Sequence, residues 1–268
     1  MKLAVTIVQE ASNSAPFVLR GNYEESIRKA AEIGYDAVEL HLADPDELSL
    51  TSIKDACRLN GITVSSIGTG LAYLRDGITL TSPKAEIRTE AIKRLIYFIQ
   101  LASELNCVVI IGLIKGTIKD NGNEESYHRL LEEALRECIK VAETAGVTLV
   151  VEAVNRYESD FLNTIGESIR FVDQFGSDRL KIHIDTFHMN VEEDSIEKNM
   201  IRAGNRIGHV HIADSNRHYP GKGHYDFRAT IKALKDIKYE GVLSLECLSI
   251  PTPEEAAVEA HRFLANLL

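Results

Sequence analysis

Four residues, each 26 to 35 positions from the next, carry acid or imidazole groups where apolar runs end: Glu152 in "VTLVVEA", Asp185 in "LKIHID", His211 in "HVHIAD" and Glu246 in "VLSLECL". Brought to one point, three carboxylates and an imidazole conflict, because like charges repel and burial disfavours each charged form. A divalent cation removes that conflict. Three oxygen donors and one imidazole suit Mn²⁺, Mg²⁺ or Co²⁺ and fit Zn²⁺ less well for want of thiolates. Taken alone, each residue reads better as an isolated polar group at a strand end; four in succession carry the cation reading. Glu158, His188 and Arg217 follow within three to six positions of Glu152, Asp185 and His211. These three suit gripping the hydroxyl or carbonyl oxygens of a small substrate, although singly each is as readily a solvated loop charge.

Such convergence demands a particular scaffold. Eight short runs rich in β-branched residues (3–8, 37–42, 62–68, 107–113, 147–153, 180–185, 209–214 and 242–248) alternate with helical patterns along the chain. Asn22 with Glu25, Ser52 with Asp55, Thr164 with Glu167, and Thr252-Pro253 with Glu255 read as helix starts. Pro83 suits a first helical turn, and glycines in "AEIGYD", "RLNGIT", "ETAGVT" and "DQFGSD" suit helix ends. The pattern predicts an α/β fold, a (β/α)8 TIM barrel spanning residues 1–268 as a single domain. A doubly wound open sheet is the weaker competitor, since no GxGxxG turn follows the first strand.

Parity supports the placement. Asp185 shares a strand face with His183, His211 with His209, and Glu246 with Ser244, while Ile182, Ile184, Val210, Ile212, Leu243 and Leu245 fall on the other face. The polar row therefore points into the barrel, and chemistry in this architecture sits at the carboxyl ends of the strands. Glu39 and His41 share a face on the second strand, where core polar pairing is favoured over ligation. Lys115, just past the fourth apolar run, is a candidate for gripping a substrate carboxylate or phosphate, against the plainer reading of a solvated loop lysine. Arg75 and Lys222 are lesser candidates of the same kind.

Bulk properties narrow the partners. A net charge of −10 opposes a phosphate backbone, so no nucleic-acid partner is expected. No apolar stretch has membrane-spanning length, so no membrane partner is expected either. Cys57, Cys107, Cys138 and Cys247 form no CxxC pair and read as free thiols, consistent with a reducing, cytoplasmic setting.

The stretches "VEAVNRYE", "HIDTFHMN", "HVHIADSNRHYPGKGHYDF" and "LSLECL" resemble the xylose-isomerase-like barrel superfamily, in particular ketose 3-epimerases related to D-tagatose 3-epimerase. The similarity runs the whole chain and is most specific in its second half. "GTGLAYLRDGITLTSP" looks like a branch that includes proteins acting on keto sugar acids such as 5-keto-L-gluconate. The resemblance implies that Glu152, Asp185, His211 and Glu246 bind a divalent metal, commonly Mn²⁺, and that Glu158, His188 and Arg217 hold substrate. It also implies C3 epimerisation of a ketose or keto sugar acid through a metal-stabilised enediolate, with Glu152 and Glu246 as the catalytic acid and base. A homo-oligomer, dimer or tetramer, follows from the same likeness. Aldose–ketose isomerase, hydroxypyruvate isomerase and inosose dehydratase are alternatives within the superfamily. A metal-dependent AP endonuclease is more distant, because its extra histidine ligands are missing here.

Overall fold

A computed structural model describes all 268 residues. Eight parallel strands form a closed barrel: β1 (Lys2–Val8), β2 (Ala37–His41), β3 (Thr63–Gly68), β4 (Val108–Ile111), β5 (Leu149–Glu152), β6 (Leu180–Asp185), β7 (Ile207–Ile212) and β8 (Val242–Leu245). Each pairs with its successor, and β8 closes onto β1 through Lys2 opposite Val242 to Val5 opposite Leu245. The expected (β/α)8 fold is thus observed. A further two-residue strand, Leu19–Arg20, runs beside Ile7 and Val8; it is too short to carry a periodic signal.

The helices start and stop largely for local reasons. Asn22, Thr164 and Thr252 each accept an amide three residues on, and Thr164 with Glu167 completes a capping box. Ser52 differs from expectation: it lies inside helix Leu50–Asn60, and Ser49 is the cap that accepts its amide. Pro83 likewise precedes the cap residue Lys84 rather than opening the first turn. Gly34, Gly61 and Gly146 end their helices with φ of 112°, 66° and 72°, a region where a side chain is strained. No helix is long and apolar enough to cross a membrane.

Two layers follow from strand parity. Ile182, Ile184, Val210, Ile212, Leu243 and Leu245 are buried against the helices. Inside the barrel, Thr6, Glu39, Ser66, His183, His209 and Ser244 form a polar layer that is equally buried. Two register shifts aim this layer. One falls between Val38 and Glu39 opposite β3, the other between Ile182 and His183 opposite β7. The second leaves Gly208 as the extra residue, and a Cβ there would stand 2.6 Å from Val150 Cγ1. A bulge of this kind redirects the side chains beyond it.

Thr6 ties the closure together. Its hydroxyl donates to the Leu245 carbonyl at 3.0 Å and accepts the Val18 amide at 3.0 Å, all buried. Thr6→Val keeps the shape but strands that amide and carbonyl, and it is expected to lower stability by about 1–3 kcal/mol. Urea denaturation measures this; an unchanged midpoint would show that the bonds contribute nothing net.

Candidate active site

The mouth of the barrel is built from strand ends. Asp185 ends β6 and caps helix Thr186–Glu192: its Oδ1 accepts the Phe187 amide at 2.7 Å. Its Oδ2 is buried with no hydrogen-bond partner. His211 stands directly across in register on β7, with Nδ1 3.9 Å from that oxygen, and this nitrogen is also buried and unpartnered. Glu246, one residue past β8, brings Oε2 to 3.5 Å from His211 Nδ1. Glu152 ends β5 and lies over Gly112, where a Cβ would stand 2.6 Å from its Oε2. Thr186 locks the ends of β6 and β7 together by donating to the Ala213 carbonyl at 2.7 Å and accepting its amide at 2.8 Å.

Electrostatics follow from this crowding. Burial, reinforced by Glu246, pushes the Glu152 carboxyl up to about 8 and Asp185 up to about 6. Burial acts the same way on Glu246, but the His211 ring outweighs it and holds that carboxyl down at about 2. Burial opposes charge on His211, yet Glu39 and Glu246 lift it well above the ordinary imidazole range. His188 is pushed down to about 4 by burial and by Arg217, so it is neutral.

The donor set fits a divalent ion. Donor atoms of Asp185, His211 and Glu246 lie within 4.8 Å of one another, and those of Glu152, Asp185 and His188 form an overlapping group. Donors about 2.1 Å from a shared ion stand roughly 3–4 Å apart. Asp185 Oδ2 and His211 Nδ1, 3.9 Å apart, fall within that spacing, and burial without a partner is costly for both.

Above this cluster opens a cavity of about 540 Å³. Glu158, His188 and Arg217 line it together with Glu152, His211 and Glu246. Arg217 Nη1 donates to Glu158 at 2.9 Å, Nη2 lies 3.7 Å from Glu246, and the guanidinium stacks on Phe187 at 4.8 Å. The opposite wall is apolar, with Pro16, Phe17, Leu71, Leu74 and Leu113.

A family model described as the xylose isomerase-like TIM barrel matches residues 27–267. The chain belongs to that family. Among its relatives is an L-ribulose 3-epimerase of Methylomonas sp. (strain DH-1), 32% identical over 84% of this chain and 78% of that protein. A D-psicose 3-epimerase of Ruminiclostridium cellulolyticum, also 32% identical, is matched over the same shares. The solved structure of D-psicose 3-epimerase with D-tagatose from Clostridium cellulolyticum H10 superposes with a TM-score of 0.85 at 26% identity, covering 100% of this chain and 99% of that one. These relatives are epimerases, which are isomerase-class enzymes.

Within this xylose isomerase-like barrel two residues acquire roles that spacing alone did not reveal. Asn155, nearly fully buried, directs its amide nitrogen to both His188 Nδ1 at 2.7 Å and Glu158 Oε1 at 2.9 Å. That contact leaves Nε2 as the protonated nitrogen of neutral His188, 3.8 Å from Glu152. Its position in "VEAVNRYE" was the available signal. Glu39 gathers the rings below the cluster, in line with the expected core pairing with His41.

Lys115 departs from both of its sequence readings. It is 1% exposed rather than solvated, it does not line the cavity, and its ammonium donates to the Gly112 carbonyl at 3.3 Å. A short 3₁₀ turn, Leu113–Lys115, folds the chain back beneath the wall and takes the lysine inward. Burial lowers its pKa to about 8. Arg75 lines the outer cavity but is paired with Glu47 and Asp76, and Lys222 stands over the Tyr219 ring instead.

At pH 7 the cation-free cluster retains protons on Glu152 and His211, and ligands must lose theirs to coordinate. Mn²⁺ binding is therefore expected to release protons, and its affinity to rise with pH between about 6 and about 8. Calorimetry in buffers of different ionisation enthalpy counts the protons; identical heats in every buffer would contradict the assignment.

Proposed function

We propose that this chain is a divalent-metal-dependent ketose 3-epimerase acting on a free, uncharged ketose of the psicose, tagatose or ribulose kind. One observation carries the reading. Glu152 and Glu246 stand on the first and last of four consecutive strands, β5 to β8, with the orphaned Asp185 Oδ2 and His211 Nδ1 between them, and both glutamates line the cavity. Epimerisation beside a ketone removes a C3 proton on one face and returns one on the other, which calls for an acid–base group on each side. The activities named for the relatives support the same class of reaction.

Glu152, Asp185, His211 and Glu246 would hold the cation, most suitably Mn²⁺. When bound, it supplies Lewis acidity toward the vicinal oxygens of the substrate. Glu246, held as a carboxylate beside His211 and Arg217, takes the C3 proton in one direction, and Glu152 delivers one to the opposite face; the reverse reaction exchanges the roles. His188 Nε2–H and the guanidinium of Arg217, whose buried Nε has no partner in the chain, donate to substrate oxygens as charge builds there. Glu158 orients Arg217 and accepts from a hydroxyl.

Charge selects among substrates. Both arginines of the cavity are already paired with carboxylates, and Glu10, Glu158 and Glu246 add negative charge to its lining. Lys115 stays out of the cavity lining. No unpaired cationic side chain meets a substrate carboxylate or phosphate, so a neutral sugar is favoured over a keto sugar acid.

The Mn²⁺-loaded protein, incubated in D₂O with free ketoses, ketose phosphates and keto sugar acids, is expected to place deuterium at C3 of free ketoses and to yield the C3 diastereomer. Glu246→Gln is expected to reduce that exchange by about 10²–10⁴-fold. Exchange confined to C1 with formation of an aldose would replace the proposal with isomerisation.

A further inference from the structure

We infer that Glu39, at the bottom of the barrel mouth, is a positioning residue for the cation site: when the His211 ring gives up its second proton to bind a cation, Glu39 sets it as the Nε2–H tautomer, leaving Nδ1 as the bare nitrogen. The inference rests on the cation reading above and extends it to a residue outside the ligand set.

Glu39 lies on β2, far from His211 in sequence, and is fully buried. Four groups converge on its two oxygens. His41 Nε2 and His211 Nε2 each stand 2.7 Å from Oε1. His209 Nε2 stands 2.7 Å from Oε2, and the Ser66 hydroxyl donates to the same oxygen at 2.6 Å. An ionised carboxylate has no proton to give and about four acceptor positions. Four contacts therefore fill it only if every one of them donates, which places a hydrogen on Nε2 of all three rings.

For His211 the consequence is chemical. With Nε2–H committed to Glu39, the lone pair of the ring is on Nδ1, and Nδ1 is the atom turned toward Asp185 Oδ2 and Glu246 Oε2. The ring is also held in angle. His183 packs edge-on against it with centroids 4.0 Å apart and planes at 89°. A carboxylate behind an imidazole ligand fixes both its tautomer and its orientation and makes the free nitrogen a better donor to a metal.

Glutamine at this position tests the argument because it nearly keeps the volume. Its amide has one acceptor oxygen and an NH₂ group that donates, so the four present contacts cannot all be maintained. An imidazole facing the NH₂ must turn to its Nδ1–H form, and on His211 that form blocks the nitrogen facing the cluster.

The closing experiment titrates the full-length parent chain, Glu39→Gln and His209→Gln with Mn²⁺, detecting free ion by electron paramagnetic resonance. His209→Gln disturbs the same hub without removing the His211 contact. The expected result is a Kd for Glu39→Gln weaker by about 10- to 100-fold, with His209→Gln close to the parent. Equal affinity of Glu39→Gln and parent would overturn the inference and leave the cation reading standing. Equal weakening in both variants would also overturn it, as general loosening. A parent chain that binds no Mn²⁺ would remove the cation reading itself.

A second measurement needs no variant and decides the matter should Glu39→Gln fail to fold. Long-range ¹H–¹⁵N spectra of the parent chain loaded with Zn²⁺, a diamagnetic probe, are expected to show His211 ligated through Nδ1 and protonated at Nε2. Ligation through Nε2 would refute the inference.

Discussion

Three carboxylates and one imidazole share the barrel mouth without enough positive charge of their own, and the surrounding architecture answers that deficit. Two unit charges 4 Å apart interact by about 4 kcal/mol at an effective dielectric of 20, so several such pairs are comparable to the whole stability of a domain. The chain distributes the problem. Asp185 gives one oxygen to a helix N-terminus, where the amides and the helix dipole favour negative charge. Glu246 has Arg217 on one side and His211 on the other. Glu152, with no comparable partner, is the carboxyl driven upward. Asp185 Oδ2 and His211 Nδ1 remain as the buried atoms of the cluster with no hydrogen-bond partner.

Parallel pairing makes the arrangement reproducible. In register, Asp185 faces His211 and Glu152 faces His183, so these side chains inherit their separation from the strand spacing rather than from loop conformation. Beneath them the polar layer is filled rather than hollow. Glu39 binds three rings and a hydroxyl, and the two bulges fall beside Glu39 and His183, where the layer must be aimed. Glycine serves the same end at Gly68, where a Cβ would stand 2.4 Å from the His41 ring.

The strands and the gathering of Glu152, Asp185, His211 and Glu246 at one mouth were legible because both depend on period and parity, which a sequence displays directly. Depth was not legible. Alternation says that Glu39 and His41 face inward but not that Glu39 sits one layer beneath the cluster and touches residues 170 and 172 positions away. Lys115 shows the opposite error: a lysine just past a strand end usually meets solvent, but here a single 3₁₀ turn reverses its direction. Ser52 begins a capping-box spacing with Asp55, but the extended backbone at Ser49 and its hydroxyl, which accepts the Ser52 amide, start the helix three residues earlier. Asn155 lay in plain view within a motif, yet its contacts join its own loop, at Glu158, to His188 on the helix Thr186–Glu192, which only the fold brings together.

Arg217 shows how a loop residue comes to be as firmly placed as a strand residue. Its φ of 61° is in the left-handed region, which costs a side-chain-bearing residue about 1–2 kcal/mol. The surrounding loop sustains it. The Arg217 amide donates to the Asp214 carbonyl and its own carbonyl accepts the Leu248 amide, each at 2.8 Å. The Asp214 carboxylate in turn gathers the amides of Ser215, Gly221 and Tyr225, and a Cβ at Gly223 would collide with it. Phe187, on the helix that Asp185 caps, fixes the plane of the guanidinium. Strand β6, through the helix that Asp185 caps, and the arginine of the cavity are thereby joined through one aromatic contact. An arginine held in this way by its own loop keeps its donors fixed, and fixed donors need no reorganisation when negative charge develops beside them, which is where electrostatic stabilisation is most effective.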